Sequence, residues 1–315
     1  MPDGSVSISA NHAKTALATR RQRKFKKAMT GYLFLVPTFA FIASFSYYPA
    51  IRALVGAFTQ WDGFNPPKWI GFSNFVHLFH DQVFIGSLWH ILVWSLIGIP
   101  LAIIPPFIGA SLIFHLKSLR MQYLYRTLFV LTMVLPPVVS VLIWQYFYGH
   151  DGIINILLND IGLGRLRHDW IANPDSALWA VILRGLPWIS PFNLLIFYSG
   201  LQAISNELFD AASVDGATSW KRVLKIEIPM VMPQVKLLFI LSIVGVSQEI
   251  TTPLLMTGGG PGTSTTTPVL YMYQTSIQYD QYGYGMSIAF IIFVAVMILA
   301  IVNMKYFQSG QEEDV

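Results

Sequence analysis

Six mainly apolar stretches, at roughly 31–55, 85–114, 124–147, 176–203, 234–256 and 284–306, dominate this chain of 315 residues. A helix rises about 1.5 Å per residue, so about 20 apolar residues cross a bilayer core of about 30 Å. In lipid every backbone N–H and C=O must find a partner inside the protein. The expected fold class is an all-α polytopic membrane protein with about six transmembrane helices.

Composition agrees. The chain is 54% hydrophobic and 11% charged, against about 25% charged in a typical soluble domain. Its 14 Tyr, 22 Phe and 9 Trp suit aromatic belts at the two membrane interfaces. With no cysteine there is no disulfide framework, thiolate metal site or Cys nucleophile. The net charge of +4 does not point to nucleic acid, because the charges lie between apolar runs and track membrane sidedness.

Residues 1–19 are polar and small, and Arg20, Arg21, Arg23, Lys24, Lys26 and Lys27 follow. A basic run before an apolar one resembles the start of a signal peptide. The run that follows is too long for that and lacks a clear cleavage site. The expectation is an uncleaved first helix, with the basic cluster on the cytoplasmic membrane surface. Placing both termini inside puts 15 of the 20 Lys and Arg on the cytoplasmic side, leaving Arg52, Lys68, Arg165, Arg167 and Arg184. That bias sets the orientation and makes 56–84, 148–175 and 257–283 the external loops. The expected organisation is a basic cytoplasmic segment over 1–30, a transmembrane domain over 31–306 and a cytoplasmic tail over 307–315.

Prolines interrupt the spans. Pro100, Pro105 and Pro106 fall in the second and Pro136–Pro137 in the third. The backbone groups they free need protein or a water-filled cavity, so these patches face helices or a pathway, or else kink the helix for packing. Ile153 to Leu158, flanked by Gly152, Gly162 and Gly164, reads as a short interfacial helix. Segment 257–268, TGGGPGTSTTTP, cannot be helical and reads as a flexible external loop.

No G-x-x-x-x-G-K-[ST] occurs, so the chain has no nucleotide loop of its own. His77, His80 and Asp81 offer no third well-placed metal ligand, and no G-x-S-x-G nucleophile signature is present. Neither a catalytic residue nor a metal site is expected. Two charges fall within spans, Arg184 and Glu249, each about two turns from the outer end. Intramembrane ionisable groups are costly and face a partner or a cavity. Their similar depth permits a pair, which either lines a polar pathway or only ties helices together. Trp188, Asn193, Gln248, Thr251 and Thr252 are neighbours in sequence. Carboxylates and amides suit hydroxyl groups, and aromatic faces suit sugar rings.

The longest polar interruption is Asn206 to Pro233, NELFDAASVDGATSWKRVLKIEIPMVMP. Leu208, Ala211 and Ala212 share one helix face, and Glu207 and Asp210 sit near that helix's positive end. Asp215–Gly216 signals a turn. Thr218 or Ser219 caps a second helix, with Trp220, Val223 and Leu224 on one face and Lys221, Arg222 and Lys225 on the other. Pro229 and Pro233 end it. Small residues permit close approach to another surface, and the alternative is an amphipathic loop lying on headgroups.

This segment resembles the cytoplasmic signature loop of permease subunits of binding-protein-dependent ABC importers. The pattern is an acidic residue, two alanines, three residues to a glycine, and a basic–apolar stretch ending in proline. Those positions are Asp210, Ala211, Ala212, Gly216 and Pro229, with Asp210 where Glu is common. Val214 to Ala217 and Ile228–Pro229 look like the carbohydrate-uptake, maltose-transporter-like branch. Arg126 to Pro137, Asp151 to Leu158 and the TGGGPGTST segment look like it too. Ile99 to Phe114 fits less well, having extra prolines.

The resemblance implies a type I importer. A cytoplasmic helix–turn–helix coupling loop (204–233) would dock in an ATPase groove through Glu207, Asp210, Ala211, Ala212, Asp215 and Gly216. Arg184, Trp188, Asn193, Gln248, Glu249 and Thr252 are the substrate-pathway candidates. Gly258, Gly259, Gly260 and Pro261 would meet an external solute-binding protein. The implied partners are a second permease subunit, distinct rather than identical, two ATPase subunits that carry the ATP and Mg, and a sugar or oligosaccharide substrate. The implied location is a bacterial inner membrane. An ion-gradient-driven secondary transporter would need more intramembrane carboxylates and a repeat of broken helices. A membrane enzyme would need a cluster of acid, base or metal ligands.

Overall fold

Proline and glycine positions decide where this chain is one long helix and where it breaks. The computed structural model describes Met29 and residues 32–307. The basic cluster over 20–27 and the tail over 308–315 lie outside the described residues. The chain divides into two units, one ending at Val55 and the other beginning at Gly56.

Helix α1 begins at Tyr32 and continues to Gly56, 25 residues in all, and all but its last residue belong to the first unit. It contains a π turn at Ala43–Tyr47 just before Pro49. A wider turn before a proline accommodates the missing N–H without stopping the helix.

In the second unit, a short antiparallel ribbon pairs β1 (Thr59–Gln60) with β2 (Lys68–Trp69), a small exception to the all-helical expectation. Helix α2 (Ser73–Leu78) precedes α3 (Gln82–Phe114), a 33-residue span that carries all three of its prolines internally. Asp81 caps α3 through the N–H groups of Val83 and Phe84. The third apolar stretch is bent by 89° between Leu119–Val134 and Pro137–Asp160, at the Pro136–Pro137 step. These segments hold α4 (Leu119–Leu131), α5 (Pro137–Tyr148) and, beyond the apolar stretch, α6 (Ile153–Asp160), a short helix where one was expected. Buried Asn155 pins the adjoining loop by donating to the carbonyls of His150 and His168 and accepting from Trp170 Nε1.

The fourth and fifth apolar stretches are not continuous spans. The fourth splits into α7 (Pro174–Leu183) and α8 (Pro191–Gln202). After α9 (Asn206–Val214), α10 runs over Ser219–Met230 and meets α11 (Met232–Ser247) at a 64° bend. A short α12 (Thr251–Met256) follows a break at 248–250. Helix α10 ends at Met230, between Pro229 and Pro233, the two prolines expected to close it. A π turn at Val223–Glu227 lets it run through that proline to Met230. Helix α13 (Pro268–Tyr273, extended by a π turn to Gln278) leads to α14 (Tyr282–Phe307).

Packing centres on α3 and α8. Small residues allow helices to approach closely where no water drives them together. Gly109 and Ala110 are buried on α3, and a Cβ on Gly109 would stand 3.2 Å from Leu194. Phe197, Tyr198, Leu201 and Leu238 complete that cluster. The Tyr198 hydroxyl donates to Gln122 at 2.8 Å, and Arg126 lies 4.5 Å over its ring, so α4 is tied to α8 by a hydrogen bond and a cation–π contact.

Candidate functional site

The polar loop folds as its sequence foretells. Gly216 has φ +66°, a region open to glycine and costly for other residues. Its N–H donates to the Ser213 carbonyl at 3.2 Å, and the Ala217 N–H to Ala212 at 2.9 Å. This pair of bonds is a Schellman ending, which satisfies the last carbonyls of α9. Thr218 then caps α10 through the Lys221 N–H.

One face of the loop is anchored and the other is free. Phe209 packs against Phe114, and Ile226 and Val231 join the same cluster. Glu207, Asp210, Ala211, Asp215 and Gly216 are exposed, and Ala212 is half-buried. Val214 is 87% and Trp220 69% exposed, with Leu208 and Leu224 also out. These apolar side chains beside Glu207, Asp210 and Lys221 make a surface open to a partner protein or to lipid headgroups.

The pathway candidates sort differently. Arg184 is not inside a helix. It closes α7, where Gly185 and Trp188 both take positive φ, +93° and +58°. Trp188 turns back onto its own break and donates its indole N–H to the Leu183 carbonyl. Glu249 sits in the break between α11 and α12. Its Oε1 accepts from both the N–H and the hydroxyl of Thr252, each at 2.8 Å, so it caps α12. Arg184 feels the Glu249 charge, and its Nε is buried without a hydrogen-bond partner. The structure therefore joins Glu249 to Thr252 at the break before α12, while Arg184 at the other break feels the Glu249 charge without an ion pair to it. Gln248 is exposed, and Asn193 is committed to the Ala102 carbonyl on α3.

The glycine-rich segment is more ordered than the flexible loop expected. Gly258, Gly259 and Gly262 have positive φ. Thr265, Thr266 and Thr267 are buried beneath them. The Thr265 and Thr266 hydroxyls donate to the Gly260 and Gly259 carbonyls, and Gln274 donates to Gly258. Gly259 is itself buried, and a Cβ there would stand 2.8 Å from the Thr266 hydroxyl. It shapes the loop, whose surface carries exposed Gly258 and Gly262 and half-buried Gly260 and Pro261.

Two clusters escaped the sequence. Asp81 Oδ2 accepts from the Tyr271 and Tyr284 hydroxyls at 2.5 and 2.7 Å. Burial pushes its pKa up, but these donors and the capped N–H groups outweigh that and hold it below the ordinary value. The other is Glu227, fully buried, with His115 Nε2 3.1 Å from its Oε1 and the Ser111 hydroxyl donating to its Oε2 at 2.8 Å. A lone carboxylate in the apolar run IEIPMVMP was the visible signal for it.

Residues 108–310 match the family described as "binding-protein-dependent transport system inner membrane component". A probable ABC transporter permease protein of Bacillus subtilis, YesP, is 32% identical over 91% of this chain and 94% of its own length. The sulfoquinovosyl glycerol transport system permease protein SmoG of Agrobacterium fabrum is 30% identical, covering 87% and 88%. A chain from the crystal structure of a bacterial ABC transporter for the acidic polysaccharide alginate superposes with a TM-score of 0.77. It is 23% identical, over 93% of this chain and all of that one, a likeness of fold. The all-α membrane architecture, the signature loop and these matches together make this chain a member of the binding-protein-dependent ABC importer permeases.

Proposed function

We propose that this chain is the transmembrane permease subunit of an ATP-driven importer. It translocates a sugar or oligosaccharide, delivered by an external solute-binding protein, through alternating access. The observation that carries this reading is the exposed Glu207–Gly216 surface on a loop whose other face is locked into the helix bundle. A loop so built transmits a push. An ATPase that closes on binding ATP would move it, shift the body towards an outward-facing state, and reset it on hydrolysis.

The chain performs no catalysis in this scheme. ATP and Mg sit on two ATPase subunits, each seated on one permease. The second permease is a related but distinct chain. Both termini and the 206–230 loop face the cytoplasm of a bacterium, in keeping with the excess of Lys and Arg on that side. Gly258, Gly260 and Pro261 lie on the face that meets the binding protein, with Gly259 shaping the turn beneath. Arg184, Glu249 and Thr252 contribute polar groups to the pathway. A sugar is favoured by the likeness of 214–217 and 228–229 to the carbohydrate branch and by the sulfoquinovosyl glycerol in the name of SmoG.

The test is reconstitution in proteoliposomes with the second permease, the ATPase and the binding protein. The expected result is uptake that needs ATP and the binding protein, for a solute found by screening that protein against sugars. Transport that persists without any ATPase would overturn the reading.

A further inference from the structure

Glu227 is fully buried, and among the described residues no other charged side chain is. It sits at the end of the π turn in α10, where the docking loop joins the helix bundle. A carboxylate left there without a cation is costly, because its surroundings are apolar. A groove of about 680 Å³, lined by Ser111 and His115 and not by Glu227 itself, runs beside it between Ile104, Ile108 and Leu112 of α3 and Trp220, Val223 and Val235.

The cation comes from the end of α3. His115 Nδ1 lies 2.8 Å from the Ser111 carbonyl, and its Nε2 lies 3.1 Å from Glu227 Oε1. The carbonyl only accepts, so Nδ1 carries a proton, and Nε2 carries one as well when the Glu227 carboxyl facing it is ionised. An ionised Glu227 at this distance pairs with an imidazolium. The Oε1 contact is poorly directed as a hydrogen bond, and attraction between charges holds it. Loss of the Nε2 proton would aim a lone pair at a buried carboxylate.

We propose that the His115–Glu227 ion pair, buttressed by Ser111, is a positioning joint that fixes the docking loop to α3, so that tight coupling of ATP hydrolysis to transport requires protonated His115. The proposal rests on the docking reading of the loop above. Contact with Glu227 raises the His115 pKa above its ordinary 6.5, while burial and the Arg222 charge on the same α10 act against that. Glu227 and Arg222 are the charged groups acting on it. A raised pKa means the pair is fully present below about 6.5 and is lost as pH rises through the higher folded value.

The test measures solute transported per ATP hydrolysed by the full importer in proteoliposomes, between pH 6 and pH 9. For the wild type the ratio should fall several-fold as pH rises. His115→Lys, a permanent cation, should hold it near the low-pH level throughout. His115→Gln should be poorly coupled at every pH, and His115→Gln with Glu227→Gln should recover a flat profile. Assembly is followed by ATPase co-purification for each variant. A wild-type ratio independent of pH in an intact, active importer would sink the joint alone. So would a His115→Lys profile that falls like the wild type. If no ATPase assembles with the wild-type chain, the docking reading falls, and this inference with it.

Discussion

Asn193 on α8 donates its side-chain amide to the Ala102 carbonyl on α3 across 2.7 Å, and Ala102 is the residue whose carbonyl Pro106 cannot serve. A helical N–H bonds four residues back, and proline has none. An orphaned carbonyl inside a membrane bundle must be met by another helix. Asn193 thus belongs to the architecture of α3, where sequence alone placed it on the substrate pathway.

Replacing it tests that assignment. Asn193→Leu should destabilise the protein by about 1–3 kcal/mol, the cost of a buried polar group left unpaired. Pro106→Ala restores the helical donor, so the double variant should regain much of that loss. Thermal melting of the four proteins in detergent gives the coupling directly. Additive losses would show that the amide serves another purpose.

The docking loop offers a cleaner test of backbone than of contact. A Cβ on Gly216 meets nothing within 4 Å, so Gly216→Ala changes only the preference for φ +66°. It should cost about 1 kcal/mol and weaken ATPase retention modestly. Gly216→Asn, which tolerates this conformation, should behave almost as the wild type. Gly216→Pro cannot adopt a positive φ and should lose coupling or assembly. Wild-type uptake by the proline variant would remove the loop from the coupling scheme.

Asp81 gathers the ends of three helices, capping α3 while receiving the Tyr271 and Tyr284 hydroxyls from α13 and α14. Its folded pKa lies below the ordinary 3.8. A depressed carboxylate stabilises the fold above its unfolded value and loses that contribution as pH falls through the folded one. Melting temperature should therefore drop below about pH 3.8 in the wild type, and less steeply in Asp81→Asn. At neutral pH that variant should be about 1 kcal/mol less stable, since part of the site is solvated. Parallel acid profiles for the two proteins would contradict this.

Local signals were the legible ones. The long apolar run of α3, the Asp215–Gly216 turn and a cap at Thr218 or Ser219 follow from neighbours in sequence, and the structure gives a 33-residue helix, that turn and Thr218 as the cap. The breaks at Arg184–Ser190 and at 248–250 left local signals, Gly185 and Pro187 in one and the polar run from Ser247 to Thr252 in the other, which a long hydropathy window averages away, and hydropathy cannot register a positive φ at Trp188. Non-local pairs were invisible for a different reason. Asn193 meets Ala102 and Ser111 meets Glu227 across 91 and 116 residues, distances at which only the packed helices bring partners together. The glycine run was misread as flexible because composition reports freedom of the backbone and not the buried threonine hydroxyls that remove it.

Glu249 remains the sharpest point of the proposed pathway. It does two things, capping α12 through Thr252 and setting a negative charge near Arg184. Glu249→Gln separates them. Its side-chain carbonyl still accepts from Thr252, so the cap and assembly should survive, while the guanidinium loses its nearby countercharge. Solute-stimulated transport should then fall about tenfold or more, the scale of an uncompensated charge in a low-dielectric path. If the pair acts only as a tie between helices, Arg184→Gln on the same background should restore transport, since two neutral groups need no partner. If the groups meet solute, the double variant should stay as poor as the single one. Uptake assays on the three variants, with ATPase co-purification as the assembly control, decide between tie and pathway. Unchanged transport in Glu249→Gln would exclude the carboxylate from both.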